Sequence, residues 1–176
     1  MATSDELARI ISGCKNGDAE CFSELVDEYG SRCYGYFYRL TGKNELSQDL
    51  LSELFVKLVE KIGSYKGGAF ESWLFKIASN IFHDYLRGKQ RWKKLLDVRR
   101  QELEAVITES KRSESDKIDR LQVQLGKLDA GTRELIMLRF YSQLSLKQIA
   151  ELRSEPIGTT LSKLHRGLKR LREMME

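Results

Sequence analysis

Two stretches of this chain gather cations densely enough to hold a polyanion. Arg87, Lys89, Arg91, Lys93, Lys94, Arg99 and Arg100 are opposed between positions 87 and 100 only by Asp97. Lys163, Arg166, Lys169, Arg170 and Arg172 follow Pro156, and the next acid is Glu173. The whole chain of 176 residues is only mildly basic, with 30 Lys and Arg against 26 Asp and Glu and a net charge of +4. Because the first ninety residues lean acidic, the excess is concentrated in these clusters. Two such clusters on a near-neutral chain point to two contacts with nucleic acid. The first cluster continues a run of mixed aromatics and cations: Tyr65, Lys66, Phe70, Trp73, Lys76, His83, Tyr85, Arg87, Lys89, Arg91 and Trp92. Stacking faces beside a cationic track suit single-stranded nucleic acid. Asn80 lies about two helical turns after Trp73, so one face can carry both. The same aromatics recur at spacings of three and four. Phe70, Trp73, Phe82 and Tyr85 therefore also read as a core stripe.

No catalytic set accompanies these clusters. There is no GxxxxGK[ST] phosphate loop and no nucleophile beside a base. Cys14, Cys21 and Cys33 form no CxxC pair, and His83 and His165 lie far from them, so zinc spacing is absent. The three thiols read as reduced and partly buried, with redox sensing as the minor alternative. A non-enzymatic protein without cofactor or metal is expected. No run of about 18 apolar residues is present, and Met1 to Ile11 has no apolar block of the secretory kind. A cytoplasmic protein without membrane insertion is expected.

A single proline among abundant Leu, Lys, Glu and Arg favours helices as the elements that position these residues. Asp18 reads as an N-cap before Cys21, Phe22, Leu25, Val26 and Tyr29, and Thr41-Gly42 as a stop. A second helix starts near Glu45. Leu46, Leu50, Leu51, Leu54, Phe55, Leu58 and Ile62 form its apolar stripe, and Asp49, Ser52, Glu53 and Lys57 its other face. A third helix runs from about Phe70 into the first basic cluster. The pattern weakens after Leu95. Residues 108–117 hold no apolar side chain, which reads as a linker because such a run cannot offset its ordering entropy. Periodicity resumes at Ile118, Leu121, Leu125 and Leu128, then at Leu135 to Tyr141. The predicted architecture is all-α, with helical domains at residues 1–94 and 118–176 and a flexible polar linker at 95–117.

Near the C-terminus, Ser145 caps a short helix holding Leu146, Ile149, Ala150 and Leu152. Arg153 to Pro156 interrupt it, and a last helix follows with Ile157, Leu161, Leu164, Leu168 and Leu171 spaced four, three, four, three. Helix, tight turn and helix is the helix-turn-helix arrangement, whose second helix fits the major groove. With the apolar stripe against its own domain, Thr159, Ser162, Lys163, Arg166, Lys169 and Arg170 face outward. Residues near the helix start then reach base edges, and basic residues further along meet phosphates.

Both halves together resemble the extracytoplasmic-function sigma factors, the minimal promoter-specificity subunits of bacterial RNA polymerase. The resemblance rests on FSELVDEYGSRCYGYFYRLTG, SQDLLSELFVKLVEKIGSY and FESWLFKIASNIFHDYLRGKQR in the first half. In the second it rests on LQVQLGKLDAGTRELIMLRFYSQLSLKQIAELRSEPIGTTLSKLHRGLKRLRE. These look like sigma region two and sigma region four. The resemblance implies a factor that binds core RNA polymerase, through the β′ clamp and the β flap, and helps melt promoter DNA. It implies polymerase docking at Asp49, Ser52, Glu53 and Phe55. Capture of the minus-ten element would involve Tyr65, Lys66, Phe70, Trp73, Lys76, Asn80, His83, Arg87, Lys89 and Arg91. Reading of the minus-thirty-five element would involve Thr159, Ser162, Lys163, His165, Arg166, Lys169 and Arg170. It further implies an anti-sigma factor as partner and a monomer when free. The chain departs from the family pattern at several positions. Ser154 stands for glycine, Glu155 for a small or apolar residue, Thr160 for valine, Leu161 for arginine and Ser52 for glutamine.

A free-standing helix-turn-helix regulator is the competing reading. It would bind duplex DNA tightly without polymerase, usually as a dimer on a palindromic site. A helical scaffold with incidental basic faces would bind no nucleic acid.

Overall fold

The computed structural model describes residues 3–102 and 120–176, with side chains for residues 3–94 and 120–176. Eight α-helices make up these stretches. They are α1 (Ser4–Lys15), α2 (Ala19–Thr41), α3 (Asn44–Lys61), α4 (Phe70–Glu102), α5 (Arg120–Gly126), α6 (Ala130–Tyr141), α7 (Leu146–Arg153) and α8 (Ile157–Met175), with a 3-10 turn at Ile62–Ser64. Four of them, α1, α2, α6 and α7, start at a side-chain cap. Asp18 accepts from the N–H groups of Glu20 and Cys21, and Asp129 from that of Thr132. Ser145 forms a reciprocal capping box with Gln148. Gly42 closes α2 in the left-handed region, with φ of 69°, a conformation glycine adopts without steric cost.

Three departures from the sequence reading are physical. Helix α1, for which the sequence reading named no element, is started by a Thr3–Glu6 capping box and buries Ile10, Ile11 and Cys14. Helix α4 continues to Glu102, past the expected domain boundary at 94. The rest of the expected linker, residues 103–117, lies outside the described residues. On α8 the buried positions are Thr160, Leu164 and Gly167, while Ile157 and Leu161 are exposed, so the leading end of the expected stripe does not face its own domain. The covered side of α8 runs through Thr160, Leu164 and Gly167, and Ile157 and Leu161 lie beside that line, which leaves those two side chains uncovered.

Helix α2 is the axis of the first half. It packs on α1 and α3, and α3 packs on α4. Leu25, Cys33, Tyr36, Phe37, Leu54, Leu74 and Phe75 are fully inaccessible there. Each large apolar side chain so buried is worth about 1.5–3 kcal/mol. In the second half α8 packs across α5, α6 and α7 around Leu125, Leu135, Leu138 and Ile149.

The two halves do not stand apart: α2 meets α5 and α6, and α4 meets α7. Apolar side chains of both halves belong to one continuous core, and polar groups cross the seam beside it. Arg32 Nε donates to the Tyr141 carbonyl at 3.1 Å, and Arg133 Nη1 to the Leu40 carbonyl at 2.8 Å. Lys76 Nζ donates to the Leu152 carbonyl at 2.6 Å. Gly35 lets the seam close, because a Cβ built there would lie 2.4 Å from Tyr141 Cε1.

Candidate nucleic-acid interface

The outer surface of α8 assembles the downstream cluster. Thr159, Ser162, His165, Arg166, Lys169 and Arg170 are all exposed on it. Lys163 is half-buried because its Nζ holds Glu155 Oε1 at 3.0 Å. Arg153 Nη2 reaches the same oxygen at 3.2 Å, so Glu155 ties the turn to both flanking helices. Burial opposes ionisation of this carboxyl, but the bonds from Lys163 and Arg153 hold it below the usual carboxylate range. The helix presents a cationic face without a free acid beside it until Glu173, which lies 3.9 Å from Lys169. A cationic helix face of this kind suits a phosphate backbone.

The face of α4 is more divided. Tyr65 and Phe70 are core side chains, 8% and 2% exposed, which bears out the core-stripe reading of Phe70 and corrects the expectation that either ring offers a stacking face. Their rings meet edge to face at 5.5 Å, and the Tyr65 hydroxyl donates to the Gly68 carbonyl at 2.6 Å. Desolvation raises the Tyr65 phenol above its ordinary range. Trp73 is half-buried against both rings, with centroids at 5.3 Å and 5.7 Å. It lines a shallow cavity of about 420 Å³ together with Gly67, Ala69, Ser72, Lys76, Gln148, Glu151 and Leu152. Lys66, Asn80, Arg87, Lys89 and Arg91 are exposed, and Arg87 pairs with Asp84. Trp92 is 68% exposed beside them, an aromatic free to stack.

Lys76 and His83 are held by the second half. Lys76 reaches the Leu152 carbonyl, and His83 Nε2 lies 3.0 Å from Glu134 Oε2. Glu134, only 1% exposed, gathers the seam. Its Oε1 accepts from Ser79 Oγ at 2.6 Å and from the Tyr36 hydroxyl at 3.4 Å, and its Oε2 from Arg153 Nη1 at 2.8 Å. Desolvation, with Glu134 beside it, pushes the Tyr36 phenol well above its ordinary range. Sequence reasoning missed Glu134 and Arg153. The available signal was a lone acid entering the apolar run Leu135 to Leu138 of α6.

On α3, Asp49, Ser52 and Glu53 share an exposed face, and Glu53 pairs with Lys57. Phe55 is half-buried against the core. Val56 and Val59, 57% and 53% exposed, lie on this outer side and were also missed. They lie outside the buried line of α3, which runs through Ser47, Leu50, Leu54 and Leu58.

Two comparisons of sequence then decide the family. The Sigma-70 region 2 family matches residues 25–92, and the Sigma-70, region 4 family matches residues 118–171. The chain belongs to the extracytoplasmic-function sigma factors. It is 28% identical over 177 residues to the ECF RNA polymerase sigma factor SigW of Bacillus subtilis, covering 94% of each chain. Among solved structures it resembles the sigma factor RpoE of Bartonella quintana, in complex with the anti-sigma factor NepR. The TM-score is 0.69 at 25% identity, over 88% of this chain and 96% of the other. CnrH, solved with the cytosolic domain of CnrY, shares the fold with a TM-score of 0.69 at 19% identity, over 94% of each chain. The chain is accordingly a promoter-specificity factor acting with RNA polymerase, not a free-standing regulator. Among the described residues no helix is long and apolar enough to cross a membrane, and no His, Cys, Asp or Glu cluster could hold a metal.

Proposed function

We propose that this sigma factor divides its contacts among three faces. The outer side of α3, with Asp49, Ser52, Glu53 and the exposed Val56, docks on the β′ clamp of core polymerase. The exposed side of α4, from Trp73 through Asn80 to Arg91, takes the melted minus-ten element. The outer side of α8 reads the minus-thirty-five element as duplex. The factor itself is non-catalytic, acts in the cytoplasm and is a monomer when free.

The bonds that Lys76 and His83 make to Leu152 and Glu134 carry a consequence of this division. Two side chains of the minus-ten face are occupied by the second domain. The arrangement described is therefore a closed form, and the domains separate before both promoter elements can be engaged. A protein that holds the halves apart from DNA, of the anti-sigma kind found with the solved relatives, would act on the same equilibrium.

Transcription in vitro with core polymerase tests the assignment. Arg166→Ala removes one exposed phosphate or base contact, so promoter use should fall while core binding persists. Glu53→Ala should weaken core binding itself. If both variants match the parent in both assays, the face assignment is wrong.

A further inference from the structure

Two branched aliphatic side chains stand one turn apart at the leading end of α8. Ile157 is 53% exposed and Leu161 is 52% exposed. Neither joins the core nor packs against it. They occupy the first two turns, the end of a recognition helix that meets base edges. Gly158 lies between them in the chain, and a Cβ built there would meet nothing within 4 Å, so this end is open to close approach. Ser162 donates its hydroxyl back to the Gly158 carbonyl at 2.8 Å, and Arg166 Nε to the Ser162 carbonyl at 3.3 Å. Exposed Arg166, Lys169 and Arg170 complement a phosphate backbone along the rest of the helix. Ile157 and Leu161 stand at the leading end of α8 and on a different side from Arg166 and Arg170, so an occupant that meets both parts of the helix is polyanionic and carries an apolar feature opposite that end. In the major groove that feature is the 5-methyl group of thymine.

We infer that Ile157 and Leu161 form an apolar reading edge for thymine methyl groups in the upstream promoter element. Four residues of helix rise about 6 Å, close to two base-pair steps of about 3.4 Å. The two side chains thus select thymines one or two steps apart. The inference rests on the proposed reading of α8 as the helix that takes duplex DNA.

The test uses the holoenzyme, this chain with core polymerase, on promoters selected from a library randomised over the upstream element. Uracil then replaces thymine at each enriched position, which removes only the methyl group. Parent holoenzyme should lose about threefold to fourfold in affinity at one or two positions, the worth of one buried carbon. Leu161→Ala and Ile157→Ala should each become insensitive to uracil at one of them. Both sites are exposed, and unchanged helical circular dichroism verifies folding. An enriched element that tolerates uracil everywhere, or an equal uracil penalty in the alanine variants, overturns the inference while leaving α8 as a DNA reader. No enriched element together with a silent Arg166→Ala overturns the α8 reading and this inference with it. A Leu161→Ala variant altered in core affinity or self-association, but not in uracil response, makes the face a protein contact and also overturns it.

Discussion

Gly35→Ala should open the molecule without weakening the helix that bears it. Gly35 lies inside α2, where alanine is about 1 kcal/mol more favourable than glycine. The added Cβ, however, would lie 2.4 Å from Tyr141 Cε1, 3.0 Å from Cζ and 3.2 Å from the hydroxyl oxygen. Tyr141 ends α6, and its carbonyl is held by Arg32, so moving the ring strains a second seam contact. Overpacking of this kind costs about 1–3 kcal/mol. That cost falls on the closed form alone, while the helix gain applies to both forms. The closed-to-open ratio should then fall by roughly fivefold to over a hundredfold. Energy transfer between dyes on exposed positions of α3 and α8 reads the ratio directly. Expected are a longer mean distance and faster association with core polymerase, at a melting temperature of the first domain no lower than the parent's. Glu134→Gln reaches the same seam by removing the charge that Ser79 and His83 share, and should shift the distance in the same direction. Parent-like energy transfer in both folded variants would refute the closed form.

Three further outcomes follow from single residues. Ser154 ends α7 with φ of 54°, in the left-handed region that glycine occupies more readily. Ser154→Gly should raise stability by up to about 1 kcal/mol, seen as a higher urea midpoint at unchanged slope. Thr160 is fully buried on α8 with its Oγ1 unpaired. Thr160→Val keeps the shape and removes an unpaired polar atom, so it should stabilise by about 1 kcal/mol or more, read in the same titration. Burial pushes the Cys33 thiol up to about 12 and, with Cys21 beside it, the Cys14 thiol up to about 11. Since the thiolate is the reactive species, native protein at pH 8 should react slowly with a thiol reagent and quickly only in denaturant. A fast native phase from Cys33 would contradict its burial.

Local signals in the chain were the most legible. Asp18, Asp129 and Ser145 are caps in the structure, Gly42 is a stop, and Pro156 stands one residue before α8, because capping depends on neighbours within four residues. Helix α1 was passed over although Leu7, Ile10, Ile11 and Cys14 keep helical spacing and all meet the core. Spacing alone also misassigned Ile157 and Leu161. Periodicity says which residues share a broad side of α8, but packing decides which line along it is covered, here Thr160, Leu164 and Gly167. Tyr65 shows the converse: an aromatic ring beside cations looked like a stacking platform, yet it packs on Phe70 and Trp73, and for Phe70 the core-stripe spacing was the better guide. The two departures Ser154 and Thr160 acquire their physical meaning only from the backbone angle and the unpaired hydroxyl.

The seam between the halves could not be read from the chain at all, since it joins residues up to about a hundred positions apart whose types fit a solvated surface equally well. Its chemistry explains how such a contact can hold and still release. The bonds across it run from Arg32, Lys76 and Arg133 to carbonyl groups, and from Ser79, His83 and Tyr36 to one buried carboxylate. Each exchanges water for a protein partner at a small net gain. Against that gain stand Arg32 Nη1 and Nη2, Arg133 Nε and Arg153 Nε, buried without a hydrogen-bond partner. An unpaired buried donor costs about as much as a good bond contributes. The polar part of the seam therefore contributes few net bonds, while apolar side chains of both halves, Tyr36, Phe37 and Phe75 with Leu135, Ile136 and Leu138 among them, belong to one continuous core. Opening exposes part of that apolar surface, so contacts with polymerase and promoter DNA have to offset its burial as well as the bonds.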